Sequence, residues 1–464
     1  RTAGYHNAGI YLFDRTVEAL FPNSRSWSLE RELLPQLVTE PFYGFVTASA
    51  LYDIGTPERL VHFREVWKDP SVHFPVTTRR LAFSSRGERL IGQEMFRVMD
   101  RAQALERQGY RIYHLELGNP RMAPPGEIVD GTVQALREKQ LGYAPMAGVK
   151  ELRAALAARY TSLTGEALTD SQVVISPANL LIHQFLDITC NPGDRVVLFT
   201  PAFPSYWAAA AHQGLQVRPV PLSERDGFHL TRQAIDDALA AEPRAIVVNN
   251  ANNPTGALYD PTILRALAAR CEEAGIWLLS DETYADLTFD GSFVTLASAR
   301  AGYVVAMSSF SKVCSIPGFR TGYAFAHEAV AAKLALSNST LYSCLPLFTQ
   351  LGCLAGMKVL DTYASEVRTR GARLIGSCHN RINRSGILHC HKPESGFYLF
   401  VDIARTGLDD MTFCRRLLDD HHTAVTPGRS FGEAYASFIR IAVCGQEEDV
   451  HEGLSRTIAF AQQL

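Results

Sequence analysis

The sequence of 464 residues has no apolar run near the roughly 18 residues that a membrane-spanning helix needs. It also has no CxxC pair. Its nine cysteines are scattered without regular spacing, which gives no disulfide framework and no thiolate metal site. They read as reduced thiols, mostly buried fillers, of a cytoplasmic protein. Excess charge of either sign is missing too: 45 Lys and Arg stand against 48 Asp and Glu, for a formal net charge of -3. Acids and bases are intermixed, which argues against the basic face of a nucleic-acid binder. No internal repeat or low-complexity segment is present. The histidines, among them His183, His212 and the pair His421 and His422, show no metal spacing and read as structural or surface residues, so no metal is expected. The chain opens at Arg1 rather than Met, and the natural start is expected upstream.

What is present is a large apolar fraction, 47%, enough for a sizeable core. The length fits two or three domains at ~100–200 residues each. Composition changes near residue 70. Before it lie short apolar runs and turns. From Leu81 onward, long helical periods alternate with short β-branched runs. "MFRVMDRAQALERQG" and "GVKELRAALAARYTSLTG" are amphipathic helices. "VVIS", "DRVVLFTP", "RAIVVNN", "GIWLLSDE" and "GYVVAMSS" are solidly apolar strands with polar C-terminal ends, separated by helices such as "TILRALAARCEEAG". Continuous apolar strands alternating with helices predict a mainly parallel sheet covered on both faces. From about 350 a long helix, "SGFYLFVDI", another helix and "FIRIAV" predict a smaller α+β domain. In open α/β sheets ligands bind beyond the carboxyl ends of the strands, so those ends carry the chemistry.

The strand ends form a set. "VVIS" leads to Pro177, Ala178, Asn179 and Leu180 at a helix start, where free backbone N–H groups suit an anion. "RVVLFT" leads to "PAFPSY", "AIVVNN" to "ANNPTG", and "WLLS" to Asp281, Glu282 and Tyr284. "VVAM" leads to "SSFSK" and then Arg320. Taken singly these are bland: a lysine after a strand is usually a solvated surface residue, and asparagine-proline is a plain turn. Arg440, between apolar residues in "FIRIAV", is harder to dismiss, because a buried arginine needs an anion. One cofactor uses all the elements at once. Pyridoxal phosphate (PLP) takes a lysine amine, donors for a dianionic phosphate, a carboxylate opposite its ring nitrogen, donors to its phenolic oxygen and an aromatic on its face.

The motifs SxSK…GxRxGY, NPTG and DExY, in the order found here, resemble the class I/II aminotransferases of PLP fold type I, the aspartate aminotransferase superfamily. The resemblance runs from about residue 82 to the end. It implies an α/β fold with a mainly parallel sheet in a large domain and a small α+β domain. Lys312 matches the lysine bonded to the cofactor, whose amine then shuttles a proton. Asp281 matches the partner of the ring nitrogen, and Asn253 and Tyr284 the pair on the phenolic oxygen. Phe203 matches the stacked aromatic, and Ser309, Ser311 and Arg320 the phosphate ligands. Tyr143, in "YAPMAG", matches a tyrosine that reaches the phosphate of the neighbouring subunit, which implies a homodimer. Gly118, in "LELGNP", sits where backbone approaches the substrate carboxylate, and Arg440 matches the arginine that grips it, with Asn253 assisting. The phosphate loop departs from the family pattern: Ala178 stands where a glycine is usual, so backbone N–H groups and Asn179 are expected to bind there. No second arginine stands in a recognisable dicarboxylate-binding context, and "FSSRGER" at 83–89 is where a lid is expected to begin.

Residues 1 to about 65 differ. "NAGIYLF", "SLERELLPQL" and "YDIGTPERL" resemble the C-terminal half of nucleotidyltransferases that couple a sugar phosphate or similar alcohol to an NTP, with Asn7, Glu30 and Asp53 at that family's functional positions. The glycine-rich NTP loop of that family is missing. The expected organisation is a nucleotidyltransferase fragment at 1–70 and a linker with the first part of the small domain at 71–118. The large PLP-binding domain follows at 119–345, and the rest of the small domain at 346–464. The implied activity is amino transfer between an amino acid or related amine and a 2-oxo acid. Decarboxylation, elimination and cyclisation stay open on the same scaffold. So does a bifunctional protein making a nucleotide-activated amino compound.

Overall fold

The computed structural model describes residues 82–138, 141–290 and 293–464. The nucleotidyltransferase-like segment, with Asn7, Glu30, Asp53 and the connector at 63–80, lies outside the described residues.

Among the described residues thirteen strands follow in chain order: β1 (Tyr113–His114), β2 (Val173–Ser176), β3 (Arg195–Thr200), β4 (Gln216–Pro221), β5 (Ala245–Asn249), β6 (Trp277–Asp281) and β7 (Val304–Ser309). Then come β8 (Gly322–Phe325), β9 (His389–Cys390), β10 (Tyr398–Asp402), β11 (Thr423–Ala424), β12 (Thr426–Pro427) and β13 (Phe438–Ala442). Seven of them form one sheet in the order β2-β8-β7-β6-β5-β3-β4. It is parallel from β7 through to β4, while β8 runs antiparallel to both β7 and β2.

The apolar runs fill both faces because strand side chains alternate. Within β5, Ala245 and Val247 join the core under helices Ala178–Thr189 and Pro204–Gln213, while Ile246 and Val248 join the core under Arg232–Ala240 and Pro261–Ala274. These strands therefore read as unbroken apolar runs. Helix Pro261–Ala274 starts where the sequence dictates: the Asp260 carboxylate accepts the N–H groups of Thr262 (2.7 Å) and Ile263 (3.2 Å), and proline occupies the first helical position.

Four further strands make an antiparallel sheet, β12-β13-β10-β9, and β1 pairs in parallel with β11. Arg440 sits mid-strand in β13, opposite Phe400 of β10 and Thr426 of β12. Among the described residues no helix is long and apolar enough to cross a membrane. All nine cysteines are free thiols, six of them buried.

Candidate active site

Strands β5 and β6 stop in register, Asn249 beside Asp281, while β7 runs two residues further to Ser309, and this gathers their polar ends. Asn249 is the neighbour of Asp281 across β5 and β6, and its Nδ2 donates to the Asp281 carbonyl at 3.0 Å. The Asp281 side chain is buried. Its Oδ1 accepts from Thr283 N (3.1 Å) and Thr283 Oγ1 (2.7 Å), and its Oδ2 accepts from the Tyr206 hydroxyl (2.7 Å). Burial raises its pKa, opposed by these hydrogen bonds and by no positive charge. Among the described residues Asp281 is thus a desolvated acid that meets hydrogen-bond donors but no cation. Glu282 belongs to another network: it holds Ser280 Oγ, Thr295 Oγ1 and Leu296 N at 3.0, 2.6 and 2.8 Å, and burial pushes its pKa up to about 7.

Lys312 lies in a single helical turn, Phe310–Val313, capped by Ser309 Oγ, which accepts Ser311 N at 3.0 Å. Its Nζ donates to the Gly118 carbonyl at 2.6 Å. Burial lowers its pKa to about 8; Cys444 opposes the shift, and Arg440 and Arg320 reinforce it. The sign gives a prediction. The amine is protonated below about 8 and neutral above it, and only the neutral form attacks an electrophile. In protein stripped of any cofactor, an amine-trapping reagent read by peptide mass spectrometry is expected to label Lys312 with a midpoint near pH 8. A Lys312 midpoint near 10.4, the value of a free lysine side chain, would sink the reading.

Arg440 is buried, with 1% of its surface exposed. Its Nη1 donates to Asn253 Oδ1 (3.1 Å), and its Nη2 to the Glu116 carbonyl (2.5 Å) and to Thr426 Oγ1 (3.2 Å). Its Nε has no hydrogen-bond partner. The guanidinium lies over the Tyr398 ring at 4.4 Å and the Phe431 ring at 5.1 Å. All of these partners are neutral, so among the described residues this buried cation meets no anion. Asn253 is fixed in turn by its own N–H, which donates to Asn249 Oδ1 at 2.8 Å.

The segment Glu116–Gly118 joins the two cations, since its first carbonyl takes Arg440 and its last takes Lys312. Gly118 is required here by contact. A Cβ on it would stand 1.8 Å from Tyr398 Oη and 2.9 Å from Phe397 Cε2. Tyr398 Oη also lies 2.9 Å from Tyr284 Oη. Tyr398 therefore links Tyr284, Gly118 and Arg440.

At the other end, Ser309 Oγ lies 2.8 Å from Ser311 Oγ and 3.2 Å from the Thr321 carbonyl. Arg320 is exposed, holds a left-handed φ of 57°, and donates Nη1 to the Pro317 carbonyl at 2.8 Å. Ala178 begins helix Ala178–Thr189 without a positive φ, so the conformation that only glycine tolerates is not needed. The close approach is made from Gly322, where a Cβ would stand 2.9 Å from both Ala178 N and the Ser176 carbonyl. Phe203 precedes helix Pro204–Gln213 and meets Tyr206 edge to face at 5.8 Å, which sets it beside the Asp281 partner.

Two sequence-predicted residues stand apart from these contacts: Asn179 is exposed, and Tyr143 is 91% exposed. In the segment 83–89, Arg89 Nε donates to the Ala211 carbonyl at 3.0 Å. Sequence reasoning missed Tyr206, Thr283, Thr426 and Tyr398. Tyr206 was legible as the aromatic ending "PAFPSY", and Tyr398 as the tyrosine inside "SGFYLF". Thr426 carried no signal.

The profile of the family "Aminotransferase class I and II" matches residues 112–456. The chain belongs to the class I and II aminotransferases. This aminotransferase is 30% identical over 370 residues to the arginine–pyruvate transaminase of Pseudomonas aeruginosa, covering 78% of this chain and 93% of that protein. It is 30% identical over 392 residues to a probable aspartate/prephenate aminotransferase of Aquifex aeolicus, covering 81% and 98%. Among solved structures it resembles the aspartate aminotransferase of Thermus thermophilus with maleate, with a TM-score of 0.78 and 26% identity over 82% of this chain and all of that one. As a family member the chain is an enzyme, and its function is that of a PLP-dependent aminotransferase.

The side chains fit that cofactor. Asp281 is a buried acid lacking a cation, and Lys312 is an amine made partly neutral by burial. Ser309, Ser311, Arg320 and the Ala178 helix start offer donors for a phosphate.

Proposed function

We propose that the chain transfers an amino group between an α-amino acid and a 2-oxo acid in two half-reactions at one site. One observation carries this: Lys312 and Arg440, a partly neutral amine and a buried cation without an anion, are held by carbonyls two residues apart. Arg440, with Asn253 at its side, receives the α-carboxylate. That contact places the Cα–H within reach of the Lys312 amine, which takes the proton and returns it. Asp281 would hold the ring nitrogen of bound PLP protonated, and Tyr284, steadied by Tyr398, would donate toward its phenolic oxygen. Phe203 would cover the ring, while Ser309, Ser311, Arg320 and the amides at Ala178 would hold the phosphate. PLP, when bound, supplies the electron sink. Retaining the carboxylate on Arg440 disfavours decarboxylation.

The Tyr143 ring, almost wholly exposed, supports a homodimer in which each subunit lends this tyrosine to its partner's phosphate site. Nine free thiols support a reducing, cytoplasmic setting. The segment 1–70, on its sequence alone, supports the further reading of a bifunctional nucleotidyltransferase/aminotransferase that makes a nucleotide-activated amino compound, with a phosphorylated amino substrate here.

The test is the visible spectrum of purified protein with PLP added, followed through a panel of α-amino acids, matched amines and phosphorylated amino compounds. The expected result is a band that bleaches with amino acids and returns with 2-oxo acids, in a dimeric species. A band that no amino acid moves would replace this reading with a lyase or decarboxylase. A preference for plain amino acids would remove the phosphorylated substrate, and an active monomer the shared site.

A further inference from the structure

A second group of chemically apt side chains converges away from Lys312. Glu224, His389 and His391 each offer one ligand atom, and the three atoms lie within 4.8 Å of one another. Local structure explains the meeting. Glu224 opens the 3-10 turn Glu224–Asp226, entered through Ser223, whose Oγ accepts Arg225 N at 3.1 Å. The turn closes at Gly227, with φ 63°, and Gly227 N donates to the Glu224 carbonyl at 2.9 Å. On the other side, strand alternation sends Cys390 into the core and leaves His389 and His391 on the opposite face. Their ring centroids are 5.5 Å apart. His229 and Glu394 flank the group, with His229 Nε2 3.2 Å from Glu394 Oε2. A Cβ at Gly227 would stand 3.2 Å from His229 Cδ2 and 3.8 Å from His391 Nδ1, so glycine here keeps space beside both rings.

We propose that Glu224, His389 and His391 bind a divalent transition-metal ion of the zinc class, with water completing the coordination. Two imidazoles and one carboxylate are a donor set of borderline softness, with no thiolate to favour a softer ion. His389 is exposed, which gives an entry path, and Glu224 and His391 are half-buried. Metal–ligand bonds of ~2.0–2.1 Å put tetrahedral ligand atoms roughly 3.3 Å apart, so closure needs a movement of about 1 Å, within the reach of side-chain rotation. Glu224 lies just beyond β4, an edge of the seven-stranded sheet, and the histidines lie on and just beyond β9, an edge of the four-stranded one. A bound ion would clip these two edges together. It has no part in the amino-transfer chemistry.

The test uses the full chain loaded with PLP, freed of metal with a chelator and then dialysed. Zn2+ is titrated by calorimetry, and Co2+ by its visible absorption. One equivalent is expected to bind saturably, to raise the unfolding temperature, and to give a cobalt spectrum of nitrogen and oxygen ligands. The double variant His389→Ala/His391→Ala is expected to weaken binding by ~100-fold or more. Glu224→Gln, which keeps the shape, is expected to weaken it by about 10-fold, and both proteins keep their amino-transfer turnover. Affinity weaker than about 1 mM in the parent protein would overturn the site. So would unchanged stoichiometry and affinity in the variants, or a sulfur charge-transfer band from cobalt on a cysteine.

Discussion

Replacing Lys312 by alanine is expected to lower amino-transfer turnover by ~10⁴-fold or more, the largest effect of any single change in this chain. Two contributions disappear together. One is the covalent anchor. The other is the amine that moves the proton, whose pKa burial lowers to about 8 and which the Gly118 carbonyl holds at 2.6 Å. The variant should still fold, since the lysine bonds only one backbone carbonyl and its turn is capped by Ser309. The check is single-turnover kinetics with one amino acid, alongside the near-ultraviolet circular dichroism of the folded protein. Added small primary amines are expected to restore part of the rate, because they replace the proton carrier. A folded Lys312→Ala protein that keeps more than about a tenth of the parent rate would mean that another group carries the proton, and Tyr284 would be the next to test.

The expected elements and the observed ones agree best where the physics is local. β2 coincides with "VVIS", and β5, β6 and β7 lie within their predicted apolar runs, because strands covered on both faces have no polar alternation to confuse with a helix. β4 gave no such signal. Its Pro219 and Pro221 argue against a strand, yet they are tolerated because β4 is an edge of the sheet and can spare the N–H groups. β8 was hidden in the glycine-flanked stretch after Arg320, and its antiparallel direction follows from the turn just before it, which no periodicity reports. The site divides in the same way. Strand ends marked Asp281, Asn253 and Lys312, and the apolar setting of "FIRIAV" marked Arg440, without reference to distance. Of the residues that hold these groups, Thr283 is two positions from Asp281, whereas Tyr206 stands 75 residues before it and Tyr398 and Thr426 reach Arg440 from neighbouring strands, contacts made only in three dimensions. The histidine pair was passed over for a related reason. Its spacing of two looks incidental until β9 turns both side chains to one face and a turn 165 residues earlier supplies Glu224.

Arg440→Leu is expected to lower kcat/KM for α-amino acids by ~10²–10³-fold, through loss of a charge-assisted, two-pronged contact with the carboxylate. At 1.36 kcal/mol per decade this corresponds to about 3–4 kcal/mol, the size expected when one partner of a desolvated ion pair is removed. The effect on folding should be much smaller. Without substrate, Arg440 is a buried cation whose partners are all neutral, so its removal ends an uncompensated desolvation. The Glu116 carbonyl keeps a second donor in Thr426 Oγ1 at 2.7 Å, and the Tyr398 and Phe431 rings that flank the guanidinium offer an apolar side chain surface to pack on. The unfolding temperature should therefore move by no more than a few degrees while activity collapses. Comparing an α-amino acid with the amine of the same side chain separates the roles. The parent protein should favour the acid strongly, and Arg440→Leu should erase that preference by slowing the acid and leaving the amine almost unchanged. If the variant slows both equally, Arg440 only props up the Glu116–Gly118 segment and the Tyr398 ring. If it unfolds, the guanidinium is a structural cation, and the carboxylate site must be sought elsewhere around Lys312.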